Sequence, residues 1–437
     1  MEQFPRVLVI SHNVFSDLSA MGKSLKSLLS CVPTDNLAQL YFHSEVPTTD
    51  VCKNYLRIRD QDVLSSIITR NAKCSVYSEK DVEYNRDRSR TDSGVIAKVY
   101  QYSRKRKPWM YNLRNLMWKL GRWNTRELRK WIDGFSPEII FFASGDYSFA
   151  YSVACLLSEE LDIPIVTWCC DDYYICRRYA DTVGGRYCYR NLMKWVKRVS
   201  ARTESVIVIS DEMKRDYAGI FDKPIYVMRI SAQENKNALP VSKRTGIAYI
   251  GGLGVNRITP LVELGRKLKS ERIPGFEYID VYSGDRNEKT LAYLTENNGI
   301  RFHGSVPGEQ VSGILGSAKY ILHVEAFDEL SKSRTKYSLS TKIGESLKSG
   351  ACIIAYGPRD ISSISYLLEN DAARVLDSAE ELPTTIRELN NRQDLYLHYV
   401  KKALETAEKN HNKESNDLMM ANILKGLPQK GGIIFEE

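Results

Sequence analysis

Short runs that are apolar at nearly every position alternate with amphipathic stretches along most of the chain. Residues 6–11, 138–144, 163–168 and 205–210 are such runs, and each ends at small or polar residues. Helical patterns over 22–29, 149–160, 190–198 and 211–217 follow or separate them. Strands that are apolar throughout, instead of at every second position, predict a parallel sheet covered on both faces. The same alternation restarts at 247–250, with strands at 278–283, 300–302, 320–324 and 352–356 and helices at 259–269 and 288–296. Residues 394–424 read as one or two long amphipathic helices.

Between the two series, residues 232–245 are polar and include Pro240, which predicts a linker. The expected organisation is therefore α/β, with two doubly wound halves: 1–231 and 246–409, joined by 232–245. A terminal helix over about 410–437 is expected to pack back on the first half. Ligands of such sheets sit in the crevice at the carboxyl ends of the strands. Residues 84–93 are expected to form a mobile loop.

Composition narrows the class. The 437 residues are 43% hydrophobic and 27% charged, which suits a folded chain and excludes a disordered or collagenous one. Nine scattered cysteines with no C-x-x-C pair support neither a zinc ribbon nor a redox motif, and fit a reducing compartment. The first residues lack the basic and apolar regions of a signal peptide, and no apolar run reaches membrane-spanning length. A cytoplasmic location, peripheral on the inner face of the membrane, is expected.

The densest candidate chemistry lies in 331–350, SKSRTKYSLSTKIGESLKSG, directly after the strand at 320–324. Ser340 or Thr341 is placed to cap a short helix that stops at Gly350. Amides at the start of that helix can receive a diphosphate, and Lys342 adds a point charge. Glu345 lies one turn further on the same face as Thr341, where a carboxylate can accept bonds from the two vicinal hydroxyls of a ribose. The plain alternative is a surface helix with a Glu345–Lys348 pair and a solvated basic loop.

The run from Ser340 to Gly350, followed by an apolar strand, resembles the K-x-x-E-x-L-x-x-G segment of GT-B glycosyltransferases, especially family-four-like enzymes of bacterial surface-polysaccharide synthesis. Tyr249-Ile250-Gly251-Gly252 with Arg257, Ser283-Gly284, and the run from Phe302 to Pro307 match the carboxyl-terminal domain of that family in order. The resemblance covers about 247–376 well and the first half only in outline. It implies a GT-B fold of two Rossmann-like domains facing across a cleft, and sugar transfer from a nucleotide-diphosphate sugar to a saccharide or lipid-linked acceptor. It further implies that Glu345 holds the donor ribose, and that Arg257, Lys342, Ser340 and Thr341 hold the diphosphate. Gly252 lies in the first turn of the donor domain, and the backbone around Gly304 contacts the base. No metal or further cofactor is expected. The family often carries a glutamate eight residues before the ribose glutamate; here that position is Tyr337, and Glu325 or Asp328 are its candidate substitutes.

The first half offers weaker signals. The run from Ser19 to Ser24 (SAMGKS) lacks the leading glycine of a P-loop, since position 17 is Asp17. Gly22 and Lys23 still open a helix and are donor-binding candidates. Asp171 and Asp172 follow the strand at 163–168, where a carboxylate can orient an acceptor hydroxyl or take its proton; helix capping is the alternative. Asp60 and Asp62 form a D-x-D string that capping explains. His12 and His303 stand isolated in the sequence, and no metal site is expected.

The positive charge is concentrated. The chain has 62 basic and 54 acidic residues, and 101–130 alone holds ten cations against the single acid Glu127, with Trp109, Trp118 and Trp123 interleaved. A second cluster spans Arg177 to Arg198. Such a segment suits peripheral contact with an anionic membrane through 104–130. Nucleic acid is the less favoured partner, because no recognised binding motif accompanies the cations. An epimerase-like enzyme of the same fold and a non-catalytic binding protein are the remaining alternatives.

Overall fold

The structure is a computed structural model that describes residues 4–70, 72–83, 85, 108–177 and 182–427. The loop expected over 84–93 (apart from Asn85) and the cations Arg104 to Lys107 lie outside the described residues. The described chain divides into two compact units, one of residues up to Met228 together with those from Glu414 onward, the other Arg229–Lys413.

The first unit is built on eight strands: β1 (Val7–Ser11), β2 (Leu37–Tyr41), β3 (Asn54–Arg57), β4 (Ser75–Tyr77), β5 (Ile139–Ala143), β6 (Ile165–Cys169), β7 (Thr203–Val208) and β8 (Ile225–Val227). Their order is β4-β3-β2-β1-β5-β6-β7-β8, parallel except for the antiparallel edge pair β3–β4. Every residue of β1, β2 and β6 is buried. That is the signature of strands covered on both faces, and it is why these runs do not alternate in hydrophobicity. The chain order reverses between β1 and β5, which pair with each other. The helix Lys413–Lys425 belongs to this unit, and the Lys425 ammonium stands 4.4 Å over the Phe4 ring.

The second unit has six parallel strands: β9 (Thr245–Ile250), β10 (Ile279–Tyr282), β11 (Ile300–Gly304), β12 (Ala318–Val324), β13 (Cys352–Tyr356) and β14 (Arg374–Leu376). Their order, β11-β10-β9-β12-β13-β14, is the 3-2-1-4-5-6 order of a dinucleotide-binding sheet. Ile247, Val281, Tyr320, Leu322 and Ile354 fill one core face together with Leu261, Leu264 and Leu268 of the helix Ile258–Glu271. Residues 232–245 lie within this unit. Asn235 donates to the Ser312 carbonyl (2.8 Å), and the Leu239 amide to the Gly316 carbonyl (2.9 Å).

Several elements escape the apolar pattern. β2 is hidden in the sequence because Gln39 interrupts it, and that side chain is fully buried, with Nε2 donating to the Ser11 hydroxyl (2.8 Å). β3, β4, β8 and β14 have three or four residues each, too short to register as runs. The helix expected over 288–296 is one turn, Glu288–Leu291, with a 3-10 turn after it. The terminal pattern resolves into two helices, Gln393–Asn410 and Lys413–Lys425.

Candidate functional site

In the second unit the order of strands reverses between β9 and β12, which pair along Ala318, Tyr320 and Ile321. β9 runs out at Gly251-Gly252 and β12 at Glu325. A cavity of about 230 Å³ opens at this point, and its lining includes Gly252, Arg257, His323, Glu325, Ser340 and Lys342. Thr341 lines it as well. The switch point of a doubly wound sheet is where its ligands bind.

The loop after β9 turns on two consecutive left-handed residues, Val255 (φ 51°) and Asn256 (φ 56°). A β-branched residue there is strained. The Asn256 side chain fixes the turn: Nδ2 donates to Asp328 Oδ2 (2.9 Å), and Oδ1 accepts from the Thr259 hydroxyl (2.8 Å). The next residue, Arg257, is thereby aimed at Glu325. Its Nη2 and Nε donate to the two carboxylate oxygens at 2.9 and 3.1 Å. Burial opposes the Arg257 charge, but the Glu325 carboxylate outweighs it and raises the guanidinium pKa. Two of its five guanidinium N–H groups are used, and the others make no hydrogen bond among the described residues. The Ser363 hydroxyl donates to Glu325 (3.4 Å), and His323 Nε2 lies 3.8 Å from the same carboxylate. Burial pushes His323 down to about 4, so it is neutral at neutral pH.

The opposite wall is the start of the helix Thr341–Leu347. Ser340 caps it: its hydroxyl accepts from the Lys342 amide (3.3 Å), and its carbonyl from the Ile343 amide (3.0 Å). The Lys342 and Ile343 amides are therefore satisfied within the turn; the amides expected to face the diphosphate are those of Ser340 and Thr341. The side chains remain. Lys342 Nζ is 2.9 Å from Glu345 Oε2, with both side chains about two-fifths exposed. The sequence spacing pairs Glu345 with Lys348, but Lys348 reaches Glu408 instead (3.5 Å). Glu345 stands beside the cavity without lining it.

The remaining expected positions are dispersed. Gly304 ends the edge strand β11, has φ 73°, and is outside the cavity lining. Beside it His303, isolated in the sequence, meets Asp280 at 2.7 Å and stacks on Tyr282 at 4.6 Å. Tyr337 is buried, below the Lys336 ammonium, and does not reach the cavity. Of the two substitute carboxylates, Glu325 lines the cavity. Asp328 caps the helix Glu329–Thr335 by accepting from the Ser331 amide (3.0 Å).

In the first unit, Gly22 lies where a Cβ would come within 2.6 Å of Ser16 Cβ and 2.8 Å of the Ser16 amide nitrogen, so close packing explains the glycine. Lys23 is exposed. Asp172 is buried and fully engaged. Its oxygens accept from the amides of Tyr174 (3.0 Å), Ile175 (3.1 Å) and Cys176 (2.7 Å) and from the Tyr217 hydroxyl (2.8 Å). Burial alone would raise its pKa, but these donors outweigh it and hold the carboxyl below the usual range. Asp172 thus shapes the loop after β6, and Asp171 accepts from the Asp172 amide (3.0 Å). The D-x-D string is structural too: Asp62 accepts from the Arg59 amide (2.9 Å), and Asp60 from Trp118 Nε1 (2.8 Å) and Arg114 Nε (3.0 Å).

A second cavity, of about 340 Å³, opens at the carboxyl ends of β1 and β5 in this unit, at its own switch point. His12, His43, Asp146 and Tyr147 line it. The His12 ring stands 5.4 Å from His43 and 4.9 Å from Tyr147, and Tyr111 donates to Asp146 (2.7 Å). The sequence singles out only His12 among them, as an isolated histidine; His43, Asp146 and Tyr147 are not among the expected site residues. Position is a signal for His12, directly after β1, and for Asp146 and Tyr147, in the loop after β5; His43 follows β2, which the apolar pattern does not show. Among the described residues no cluster of His, Cys, Asp and Glu is arranged to hold a metal, and none of the nine cysteines is in a disulfide.

No known family model matches the sequence, and no curated protein does. Solved structures match across nearly the whole chain. Sucrose-phosphate synthase from Thermosynechococcus elongatus is 10% identical with a TM-score of 0.59, covering 96% of this chain and 98% of its own. Anabaena Alr3699/HepE in complex with UDP is 11% identical with a TM-score of 0.61, covering 97% and 100%. A glycosyltransferase from Rickettsia africae is 12% identical with a TM-score of 0.58, covering 98% and 99%. At such low identity the shared property is architecture: this chain has the GT-B fold, with two Rossmann-like parallel-sheet domains.

Proposed function

We propose that the protein is a glycosyltransferase that uses a nucleotide-diphosphate sugar, with the cavity between β9 and β12 as the diphosphate site. The observation that carries this reading is the pair of cations there. Arg257 is held rigid by Glu325 with donors to spare, and Lys342 stands at the facing helix start. When the bond between the anomeric carbon and the phosphate oxygen breaks, negative charge grows on the departing diphosphate. Preorganised cations stabilise that charge without reorganisation. This stabilisation requires no metal. Glu345, paired with Lys342, is the ribose ligand in this reading, and the backbone near Gly304 the base contact. Alr3699/HepE binds UDP and UDP-glucose, which favours a uridine donor.

The acceptor is a saccharide or a lipid-linked saccharide in surface-polysaccharide or glycoconjugate synthesis. The first-unit cavity, with its aromatic wall and Asp146, supports saccharide binding there. The basic segment supports a peripheral position on the cytoplasmic face of a membrane, where lipid-linked acceptors are met.

A thermal-shift series tests the donor site. UDP or UDP-glucose at a hundred times its dissociation constant stabilises by about 2.7 kcal/mol. Arg257→Ala is expected to abolish the shift, and Glu345→Ala to reduce it. Unchanged shifts in both variants would exclude this cavity. Product analysis with UDP-glucose separates transfer from epimerisation.

A further inference from the structure

The helix Pro108–Leu120 is apolar on its outward face as well as its inward one, where Tyr111 and Trp118 are buried against Tyr147, Phe42 and Phe149. Its inward face carries polar atoms that lock it in place. Tyr111 donates to Asp146, and Arg114 and Trp118 both donate to Asp60. Its outward face is apolar: Trp109, Leu113, Leu116 and Leu120 are 60%, 57%, 51% and 59% exposed. Their spacing of four, three and four residues puts them on one narrow stripe. The neighbouring helix Asp60–Thr69 exposes Leu64, Ile67 and Ile68, the last at 87%. The two helices are tied where the Arg122 amide donates to the Ser66 hydroxyl (2.9 Å). A row of leucines and isoleucines left in water is costly unless something covers it.

The flanks indicate what covers them. On the other side of Pro108–Leu120 lies the helix Val183–Ser200, joined to it by Asn112 Nδ2 donating to the Gly184 carbonyl (3.1 Å). Its exposed ridge is Arg186, Arg190, Lys194 and Lys197. Lys119 and Arg122 are exposed at the far end of the stripe. An apolar stripe bordered by cations matches the interface of an anionic bilayer, where leucines and a tryptophan enter the acyl boundary and the cations meet headgroup phosphates. We infer that this three-helix face of the first unit docks on anionic phospholipid, with Pro108–Leu120 lying in the interface plane. The inference deepens the membrane contact of the proposed function, by naming the face and the lipid class.

Flotation of the full-length protein tests it. Vesicles of equal parts phosphatidylcholine and phosphatidylglycerol are compared with pure phosphatidylcholine. Binding is expected to the first only, weakening as salt rises. Leu113→Asp with Leu116→Asp is expected to weaken partitioning by tenfold or more, since about that factor attends each leucine side chain removed from water. Arg190→Glu with Lys194→Glu is expected to weaken it about tenfold or more, from the loss of two headgroup contacts. Trp109, the only exposed tryptophan among the described residues, is expected to be quenched by brominated lipid, and Trp109→Phe to remove that quenching. All substituted positions are exposed, and unchanged circular-dichroism melts are the folding control. Nucleotide thermal shifts on the same variants should equal wild type, so failure of the donor reading and of this one are separable. Absence of wild-type flotation overturns the inference. So does wild-type flotation by the leucine variant, or sedimentation showing a dimer in solution that the leucine variant dissociates, which would make the face a contact between copies.

Discussion

Asp172 and Arg257 differ in how much of their hydrogen-bonding capacity the fold uses, and the proposed donor site rests on what Arg257 keeps. The Asp172 carboxylate is surrounded by three amides and a tyrosine hydroxyl, with nothing left to offer a substrate. Arg257 gives two donors to Glu325 and keeps the others. The substitutions should therefore behave oppositely. Asp172→Ala is expected to cost about 2–4 kcal/mol in urea unfolding, because it strands buried donors. Its nucleotide affinity, measured on the folded fraction, should be unchanged. Arg257→Ala is expected to lose nucleotide affinity, although Glu325 would be left buried and unpaired. For Asp172 the sequence leaves catalysis and capping both open, because a carboxylate after a strand serves either. Which hydrogen bonds each makes depends on loops returning from elsewhere in the chain.

At the scale of elements, the site is held by turns. The helix Thr341–Leu347 is only seven residues long, and the chain leaving it must reverse quickly into β13. Gly350 does so with φ 73°, and a Cβ there would lie 2.8 Å from Arg244 Nη2. Arg244 cannot easily yield, since it donates to the Leu239 carbonyl (2.8 Å) and the Ser349 carbonyl (2.9 Å). Gly350→Ala is expected to destabilise by about 2 kcal/mol in denaturant melts, through the left-handed backbone and the contact together. The reverse holds at Val255, whose left-handed conformation is strained. Val255→Asn is expected to stabilise by up to about 1 kcal/mol, since asparagine tolerates that region.

At the scale of the whole molecule, two buried histidines give stability a pH dependence. His411 joins distant parts of the second unit. Its Nδ1–H must donate to the Ile230 carbonyl (2.8 Å), since that oxygen can only accept, so in the neutral ring Nε2 accepts from Tyr366 (3.1 Å). Burial is the main cause that holds both His411 and His323 down to about 4. The unfolded chain takes up those protons near pH 6.5. Stability from this source is thus full above about pH 6.5 and falls as pH drops toward 4, where the loss levels off. The loss amounts to about 3 kcal/mol per residue at most. Urea melts of the full chain between pH 7 and 4 should show it, and His411→Gln should flatten the slope.

The sequence by itself determined the fold class, because hydrophobic burial writes the period of each long element into the chain. β1, β5, β6, β9, β12 and β13 appear as apolar runs, and the basic segment with its tryptophans was also legible, as was the ordered series from Gly252 through Arg257 to Glu345. Tertiary structure decided the rest. It placed Glu325 against Arg257 across 68 positions, gathered His12, His43 and Asp146 around one cavity, and absorbed Gly22 and Asp172 into packing and loop bonding. It also chose which face of Pro108–Leu120 points outward. The physical reason is range. Burial acts on each residue through its neighbours along an element, whereas hydrogen bonds and ion pairs join residues whose meeting is set by strand order.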